Sequence, residues 1–561
     1  MRKINSIVLL LLVIASGCSD FLKEDNKGGI TNEELYSTDV GYQTLVTASY
    51  AAMRDIYGTT PWVIVGGTDL YQISKPNDHL AFYRYEMYPS NTDVSDFYAN
   101  CYKSIQTVNM ALYYNNLPNI DDALKKQYKS ELQFLRAFYH FLLLEQFGGI
   151  AINDEVTLSV KNNFPRKSLA DSYDFIIKEM KESLDGLKAN AISRVNPDVV
   201  NHYLAKVYLT RAWDLGNSED FVTAKQYAQK VINSRGEITL GYEDLWSPDN
   251  ENNSEILFAV QYDRNSVANL SSMGNTQQAL FCPSLGNAAI KQKHTFDQLV
   301  VGWNVLKWYD ENDKRYNASF MEILYEEYFD YYDVADKSKL KVRAYYPRLW
   351  GSDYTQTDLD AWLADRDTVP GVRFICYPFP ENDEPKYSAN KQSDLYSIPL
   401  KKFDSPKTRT ESVSSTEASV RDIVLARLGE TYFLYAEACI GLNDFTSAKE
   451  SVQKVLDRPE NAKSGTISNA LSVVSNQQEA LHAYLKESGK EFIGEYNGRW
   501  AELRRTKMLK FMLETYNYDI KQQKLQGITF DFDNMYNLRP IPEDAITLNE
   551  ALSFENQNAG Y

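Results

Sequence analysis

Apolar residues recur at helical spacing over much of the chain, and the longest such stretch is 121–147. It opens with acidic residues in its first turn, and from Phe134 onward apolar side chains surround most of the helix circumference. We therefore predict a buried helix that ends at Gly148 and Gly149. The same spacing predicts further helices over the approximate ranges 38–57, 93–116, 168–188 and 476–513.

One pair of predicted helices occurs twice, 224 residues apart. The segment LAKVYLTRAWDLGNSEDFVTAKQYAQKV (204–231) aligns with LGETYFLYAEACIGLNDFTSAKESVQKV (428–455), and ten of the 28 positions are identical. Each copy is typical of a helix, a short polar turn (217–220 or 442–444) and a second helix. The pattern resembles the tetratricopeptide repeat, in which one hairpin cannot bury its own apolar face. We therefore expect further helix pairs to stack beside these two.

The stretch 235–420 lacks this spacing. It consists of short mixed segments rich in Asn, Asp, Ser and Pro, with aromatic residues that are too frequent for a disordered linker. We predict a predominantly all-α fold in which a tetratricopeptide-like helix-pair scaffold carries a large irregular insertion. In that division, 38–234 and 421–561 form the scaffold and 235–420 forms the insertion.

The first residues predict export and lipid attachment. Two basic residues precede an apolar stretch over 7–15, which is too short for a permanent membrane span but suits a secretory signal. Ala15-Ser16-Gly17-Cys18 resembles the bacterial lipobox, so we expect 1–17 to be removed and 18–37 to form a tether lipidated at Cys18. The remaining alternative is an ordinary signal peptide with an incidental cysteine. The acidic residues that follow are similar to the export signal of cell-surface lipoproteins.

Charge and composition exclude one class of partner. The formal net charge is −17, with 59 basic and 76 acidic residues. Nucleic acid is not expected, because its binding requires clustered Lys and Arg. Forty Tyr, 25 Phe and eight Trp make the chain rich in aromatic residues, and tyrosine surfaces suit ligands that are part apolar and part hydroxylated.

Catalytic and metal-binding motifs are absent from the sequence. The five histidines show no HExxH spacing, and there is no GxSxG elbow, P-loop or GxGxxG. The cysteines beyond Cys18 show no CxxC spacing and are interpreted as buried thiols: Cys101, Cys282, Cys376 and Cys439. We therefore predict a binding protein without catalytic activity or a cofactor. Structural calcium would suit the acidic loops, but no ligand spacing requires it.

Five separated motifs resemble the SusD/RagB family of outer-membrane nutrient-binding lipoproteins. They are CSDFL, FLRAFYHFLLLEQFGGI, ETYFLYAEA, EYNGRWAELRR and LRPIPEDAITLNEALSFENQNAGY. The resemblance implies a lipid-anchored protein on the cell surface that delivers oligomeric nutrients to a SusC-like TonB-dependent outer-membrane transporter. The motifs themselves are interpreted as structural, because arginine bridges carboxylates and helix ends in packed helical proteins. This applies to Arg136, Arg499, Trp500 and Arg539.

Ligand contacts are expected from loops, and the first candidate is 66–91. Two glycines and two prolines mark this segment as a loop, and it mixes rings with hydrogen-bonding groups. The resemblance implies an acidic residue, a tryptophan and a polar residue here; Asp69 matches the first, while Met87 or Tyr88 stands in place of the tryptophan. The predicted ligand-binding residues are Asp69, Tyr71, Asn77, Tyr83, Tyr88 and Asn91.

The second candidate region is 303–350. Trp350 stands in a polar loop beside a glycine and a serine, and Trp303 follows Gly302 in a way common in the family. Both are predicted ligand-binding residues, whereas Trp308 is interpreted as a packing residue. This region, too, mixes aromatic rings with polar residues.

Three functions remain open from the sequence alone. The leading hypothesis is the capture of oligosaccharides or polysaccharides, whose rings offer an apolar C–H face and a hydroxyl edge. The alternative is peptide capture, which would rely on backbone hydrogen bonds in a wide polar cleft. A third is a purely structural scaffold that holds another protein.

Overall fold

The computed structural model describes residues 30–58, 61–73, 79–117, 119–189, 194–263, 274–281, 299–346, 348, 361, 364–374, 398–408, 419–461, 468–532 and 535–561. Its α-helices are α1 Asn32–Tyr36, α2 Asp39–Ala51, α3 Met53–Tyr57, α4 Trp62–Val65, α5 Leu80–Arg84, α6 Thr92–Tyr114, α7 Asp122–Phe147, α8 Leu169–Ser183, α9 Pro197–Leu215, α10 Ser218–Arg235, α11 Tyr242–Leu245, α12 Gln277–Leu280, α13 Trp303–Leu306, α14 Lys314–Ser319, α15 Asp330–Asp333, α16 Leu428–Gly441, α17 Phe445–Leu456, α18 Gln477–Glu491, α19 Arg499–Arg505, α20 Leu509–Tyr516, α21 Tyr518–Leu525 and α22 Glu543–Thr547. Its strands are β1 Tyr71–Ile73, β2 Ile256–Val260, β3 Leu299–Val301, β4 Ile323–Tyr325, β5 Val342–Tyr345, β6 Thr368–Phe374 and β7 Ile423–Arg427. The predominantly helical fold class is therefore confirmed.

The repeated helix pair is confirmed as α9–α10 and α16–α17. The two hairpins are neighbours, because α10 packs along α16. Residues at equivalent positions of the two copies meet directly: the Lys206 ammonium lies 3.0 Å from Oε1 of Glu430, and the Trp213 indole donates to Glu437 over 3.0 Å. Hairpin stacking thus buries the apolar face that a single pair would leave exposed.

The long buried helix is confirmed as α7. It packs against both α6 and α8, and its last twenty residues are buried apart from Lys129 and Gln133. It ends at Gly148, whose φ of +77° is in the left-handed region that favours glycine. A Cβ atom there would lie 2.9 Å from a methyl group of Leu538, so the end of α7 also sits against the C-terminal segment.

The range 476–513, predicted as one helical stretch, contains three helices, α18 to α20. Two glycines in left-handed conformation, Gly494 and Gly498, lie between α18 and α19 with φ of +79° and +84°. At Gly494 an added Cβ would lie 2.4 Å from a methyl group of Leu400. The chain turns sharply here because only glycine combines these backbone angles with such close packing.

Strands occur mainly within the predicted insertion, and they form small sheets. Strand β2 pairs with β7 in one antiparallel sheet, and β5 lies between β4 and β6 in another. Buried ion pairs hold this part against the helices. Arg315 lies 3.0 Å from Glu487 and 3.1 Å from Glu491 of α18, and Arg427 lies 2.8 Å from Glu255.

Candidate functional site

The structure brings the two predicted loop regions together. Strand β1 pairs antiparallel with β3, and Tyr71 lies opposite Val301. The pairing continues past the strand, because the Gly302 amide donates to the Leu70 carbonyl over 2.8 Å. The start of the 66–91 segment therefore lies beside the start of the 303–350 region.

Asp69 is a buried structural residue, which corrects its prediction as a ligand contact. Only 1% of its surface is exposed. The Arg499 guanidinium donates to both carboxylate oxygens, over 2.9 and 2.7 Å, and also pairs with Glu502 over 2.7 Å. Burial alone would lower the pKa of Arg499, but the two carboxylates raise it above its usual value. Asp69 thus anchors the loop to α19 and does not reach a surface ligand.

Tyr71 and Tyr83 are likewise in the core, so their prediction as ligand-binding residues is wrong in this structure. Their exposed fractions are 3% and 0%. The Tyr71 hydroxyl accepts the Gly494 amide over 2.5 Å, and its ring lies 5.1 Å from that of Phe281. Burial raises the pKa of both hydroxyls. The alternation of tyrosines in this segment reflects packing against the neighbouring strand and helices.

Tyr88 is the exposed aromatic residue of the predicted loop. Its side chain is 68% exposed, and its carbonyl accepts the Asn91 amide over 2.9 Å. The adjoining Pro89 carbonyl accepts the Glu543 amide of α22 over 3.0 Å. Asn91 is half-buried and caps α6, because its side-chain oxygen accepts a hydrogen bond from the Val94 amide over 3.1 Å. The backbone contacts fix the loop while the Tyr88 ring faces solvent.

Aromatic residues from the C-terminal segment lie beside this loop. Phe532 and Tyr536 pack edge-on against the buried Tyr85, with ring centroids 5.1 and 5.4 Å away. Tyr536 is half-buried and lies 6.4 Å from the ring of Tyr561. We call Tyr88, Tyr536 and Tyr561, together with the two exposed carboxylates Glu86 and Asp531, the Tyr88 surface.

The hydroxyl of Tyr536 interacts electrostatically with the other groups of this surface. Burial raises the pKa of its hydroxyl, and the neighbouring Tyr88, Asp531 and Glu86 raise it further. Tyrosine rings can pack on the C–H face of a sugar, while carboxylates accept hydrogen bonds from its hydroxyl groups. The Tyr88 surface therefore combines the two kinds of contact that a glycan requires.

Backbone strain occurs at two tyrosines of this region. Tyr85 and Tyr536 have φ of +55° and +71°, a conformation that is uncommon for bulky side chains. Tyr85 is held there by its hydroxyl, which donates to the Gly67 carbonyl over 2.7 Å. Strained residues persist where the surrounding packing determines their conformation, and they cluster at ligand sites.

In the second predicted region, 303–350, the structure describes the side chain of neither predicted tryptophan. Trp303 opens the short helix α13, but its side chain lies outside the described residues, as do Asn77 and Trp350. Trp308 is half-buried, and its ring lies edge-on to Tyr516 at 5.0 Å, which agrees with its interpretation as a packing residue. The ligand contacts of Asn77, Trp303 and Trp350 stay predictions.

The arginines and the tryptophan of the recognised motifs are structural, as expected. Arg136 pairs with Glu179 over 2.5 Å within the helical core. Arg539 is fully buried, and its guanidinium lies 4.0 Å above the ring of Trp500. It also donates to the Gly66 carbonyl over 3.1 Å, so it joins the C-terminal segment to the start of the candidate loop.

Sequence reasoning missed Tyr536, Tyr561 and Asp531. They lie in or near the closing motif, which was interpreted as structural, and only the fold brings them beside Tyr88. The available signal was the aromatic and acidic content of ITFDFDNMY over 528–536.

The described ranges contain two cysteines with free, buried thiols, Cys101 and Cys439; Cys282, Cys376 and the lipid-attachment candidate Cys18 lie outside them. Among the same residues, no group of three or more His, Cys, Asp or Glu side chains is placed to share a metal ion. None of the helices described here has the length and apolar character that crossing a bilayer requires.

Comparison with known proteins identifies the family. A model described as the SusD family matches residues 254–561, and one described as "Starch-binding associating with outer membrane" matches residues 21–209. The chain is 28% identical over 335 residues to SusD-like protein P2 of Formosa agariphila, an alignment that covers 56% of this chain and 62% of that relative. Less than two thirds of the relative is therefore matched.

Solved structures show the same fold. A SusD homolog from Bacteroides thetaiotaomicron superposes with a TM-score of 0.71 at 17% identity, covering 96% of this chain and 100% of that one. A laminarin-binding SusD-like protein superposes with a TM-score of 0.65 at 19% identity, covering 93% and 100%. Because the first family model alone covers more than half of the 561 residues, the chain belongs to the SusD family.

Proposed function

We propose that this protein is a lipid-anchored outer-membrane protein of the cell surface that binds oligosaccharides or polysaccharides and delivers them to a SusC-like TonB-dependent transporter. It captures its ligand without cleaving it. The observation that carries the binding step is the exposed Tyr88 ring beside Tyr536 and two carboxylates. Family membership supports the same role, since one matching model is described as starch-binding and one similar structure as laminarin-binding.

Affinity electrophoresis in gels containing laminarin, starch or xylan tests the binding step. Tyr88→Ala is expected to weaken retention by the preferred polysaccharide at least tenfold, which corresponds to about 1.4 kcal/mol. Its melting temperature should stay close to that of the wild type, because the ring is 68% exposed.

Tyr113→Ala is the matched control, because Tyr113 is 54% exposed on α6, outside the Tyr88 surface. It should leave retention unchanged. Equal retention of the wild type and Tyr88→Ala would contradict the assignment of the site. Binding of a peptide library with no retention by any polysaccharide would favour peptide capture instead.

Anchoring is tested by replacing Cys18. Cys18→Ala removes the sulfur to which the lipid would be attached, so the protein should move from the membrane fraction to the soluble fraction. Acyl chains contribute roughly 0.8 kcal/mol for each buried methylene, which makes a multiply acylated cysteine a stable anchor. Recovery of Cys18→Ala in the membrane fraction at the wild-type level would contradict the anchor.

A further inference from the structure

A cavity lies among elements other than those that form the Tyr88 surface. It has a volume of about 220 Å³ and opens between the break that separates α2 from α3 and the C-terminal end of β2. Its walls include Tyr50, Met53 and Val260, and two arginines, Arg54 and Arg194, also line it. It is smaller than the roughly 300–1,000 Å³ typical of drug-sized ligands, which limits it to a group about the size of one sugar ring.

The charge of this cavity is opposite to that of the whole protein. The chain carries a formal charge of −17, yet none of the residues that line the cavity is acidic and two are arginines. Because Arg194 is paired with the buried Glu131, Arg54 is the cation of this cavity that would attract an anion.

Arg54 has a donor without a hydrogen-bond partner among the residues that the structure describes. Its Nε and Nη2 both donate to the Gln261 carbonyl, over 3.0 and 2.5 Å, and its guanidinium lies 4.9 Å above the ring of Tyr262. Within the described ranges it forms no ion pair, and its Nη1 donates no hydrogen bond. The guanidinium is therefore fixed in orientation while part of its hydrogen-bonding capacity stays open.

Arg194 is held on the other side by a buried carboxylate. Its Nη2 lies 2.5 Å from Oε2 of Glu131, whose side chain is fully buried. The guanidinium also lies 4.8 Å above the ring of Tyr50 and 5.3 Å from that of Tyr128. These contacts place it at the wall of the cavity with 28% of its side chain exposed.

We propose that this cavity binds the carboxylate of an acidic sugar, such as a uronic acid residue. A guanidinium matches a carboxylate in charge and in planar geometry, so Arg54 is the primary contact. Arg194, whose charge is paired with Glu131, also lines the wall of the cavity. Tyr50, Met53 and Val260 offer an apolar wall for the C–H face of the ring. The site is formed by other elements than the Tyr88 surface, and either can fail without the other.

Isothermal titration calorimetry of the mature chain tests this proposal with D-glucuronate and D-galacturonate, against D-glucose and D-galactose at the same ionic strength. At least one uronate is expected to bind at least tenfold more tightly than its neutral counterpart. Arg54→Gln should weaken that binding at least tenfold, and Arg54→Lys should restore only part of it. Lys103→Gln is the control, because Lys103 is a 73% exposed cation outside the cavity.

Equal affinity for each uronate and its neutral sugar, absence of uronate binding, or full uronate binding by Arg54→Gln would each overturn the proposal. A melting temperature measured for every variant separates lost binding from lost folding, and Arg54→Lys keeps the charge if Arg54→Gln unfolds. Tyr88→Ala should leave uronate affinity unchanged, and Arg54→Gln should leave polysaccharide retention unchanged. The two sites can therefore be judged independently.

Discussion

Replacing Asp69 by asparagine tests whether this residue supports the fold or contacts the ligand. The substitution removes the negative charge from a side chain that is 1% exposed and leaves Arg499, which is also buried, without one of its two partners. Breaking a buried ion pair by removing one partner costs about 3–5 kcal/mol. Because Glu502 remains 2.7 Å from Arg499, we expect a loss at the lower end, about 3 kcal/mol.

The measurement is urea-induced unfolding, followed by tryptophan fluorescence, of Asp69→Asn beside Asp55→Asn. Asp55 pairs with Lys103 at 3.5 Å, but both side chains are more than half exposed, so its replacement should cost less than about 1 kcal/mol. Equal unfolding midpoints for the two asparagine variants would refute the reasoning.

Affinity for the retained polysaccharide gives the second readout for Asp69. Folded Asp69→Asn should bind within about twofold of the wild type, because the carboxylate does not reach the surface. A ligand-contacting Asp69 predicts the reverse, with weaker binding and an unchanged unfolding midpoint. The two readouts together therefore assign the residue to one role.

Two further substitutions test the interior of the protein. Burial would raise the pKa of Glu430, but Lys206 and a neighbouring histidine outweigh it and lower that pKa to about 2. The lowered pKa of Glu430 stabilises the folded protein at pH values above 4.5, the pKa of this group in the unfolded chain, and that stabilisation is lost as the pH falls towards 2. The difference in unfolding free energy between the wild type and Glu430→Gln should therefore shrink by about 3 kcal/mol between pH 6 and pH 2. A difference that stays constant over this range would contradict the reasoning. Gly494→Ala places a Cβ atom 2.4 Å from Leu400 at a φ of +79° and should lower the free energy of unfolding by about 1–3 kcal/mol. Gly216→Ala is the control and should cost less, because Gly216 shares the left-handed conformation but has open space around it. An equal loss in both variants would show that the close contact at Gly494 relaxes freely.

Local patterns were sufficient to predict the helical scaffold. Helix α7 is predicted by apolar residues around most of its circumference and by the glycine at its end. The repeated hairpin is predicted by matching alanines and aromatic residues 224 positions apart. Both signals are local in sequence, so no knowledge of distant contacts is needed. The break between α18 and α19 was missed because two glycines in a helical pattern do not reveal their backbone angles.

The candidate site was harder to predict, because the residue types that bind a sugar also occur in a buried polar core. Asp69 and Tyr71 belong to the residue types that bind sugars, yet their partners are Arg499 and Gly494, more than 400 residues later in the chain. Such long-range pairing decides whether a polar side chain is satisfied internally or faces solvent. Tyr88 could be proposed from sequence, whereas its neighbour Tyr536 required the fold.

Buried contacts beneath the Tyr88 surface hold the loop that we propose as a binding site. The Tyr85 hydroxyl and the Arg539 guanidinium hold the carbonyls of Gly67 and Gly66, and Arg539 stacks on Trp500 of α19. The loop and the C-terminal segment are thereby fixed before any ligand arrives. Immobilising a side chain at an interface costs about 0.5–1.5 kcal/mol, so the Tyr536 ring, which already packs on Tyr85, would retain more of its contact energy as affinity. The strain at Tyr85 and Tyr536 then belongs to the folded state and is not a cost that ligand binding must meet.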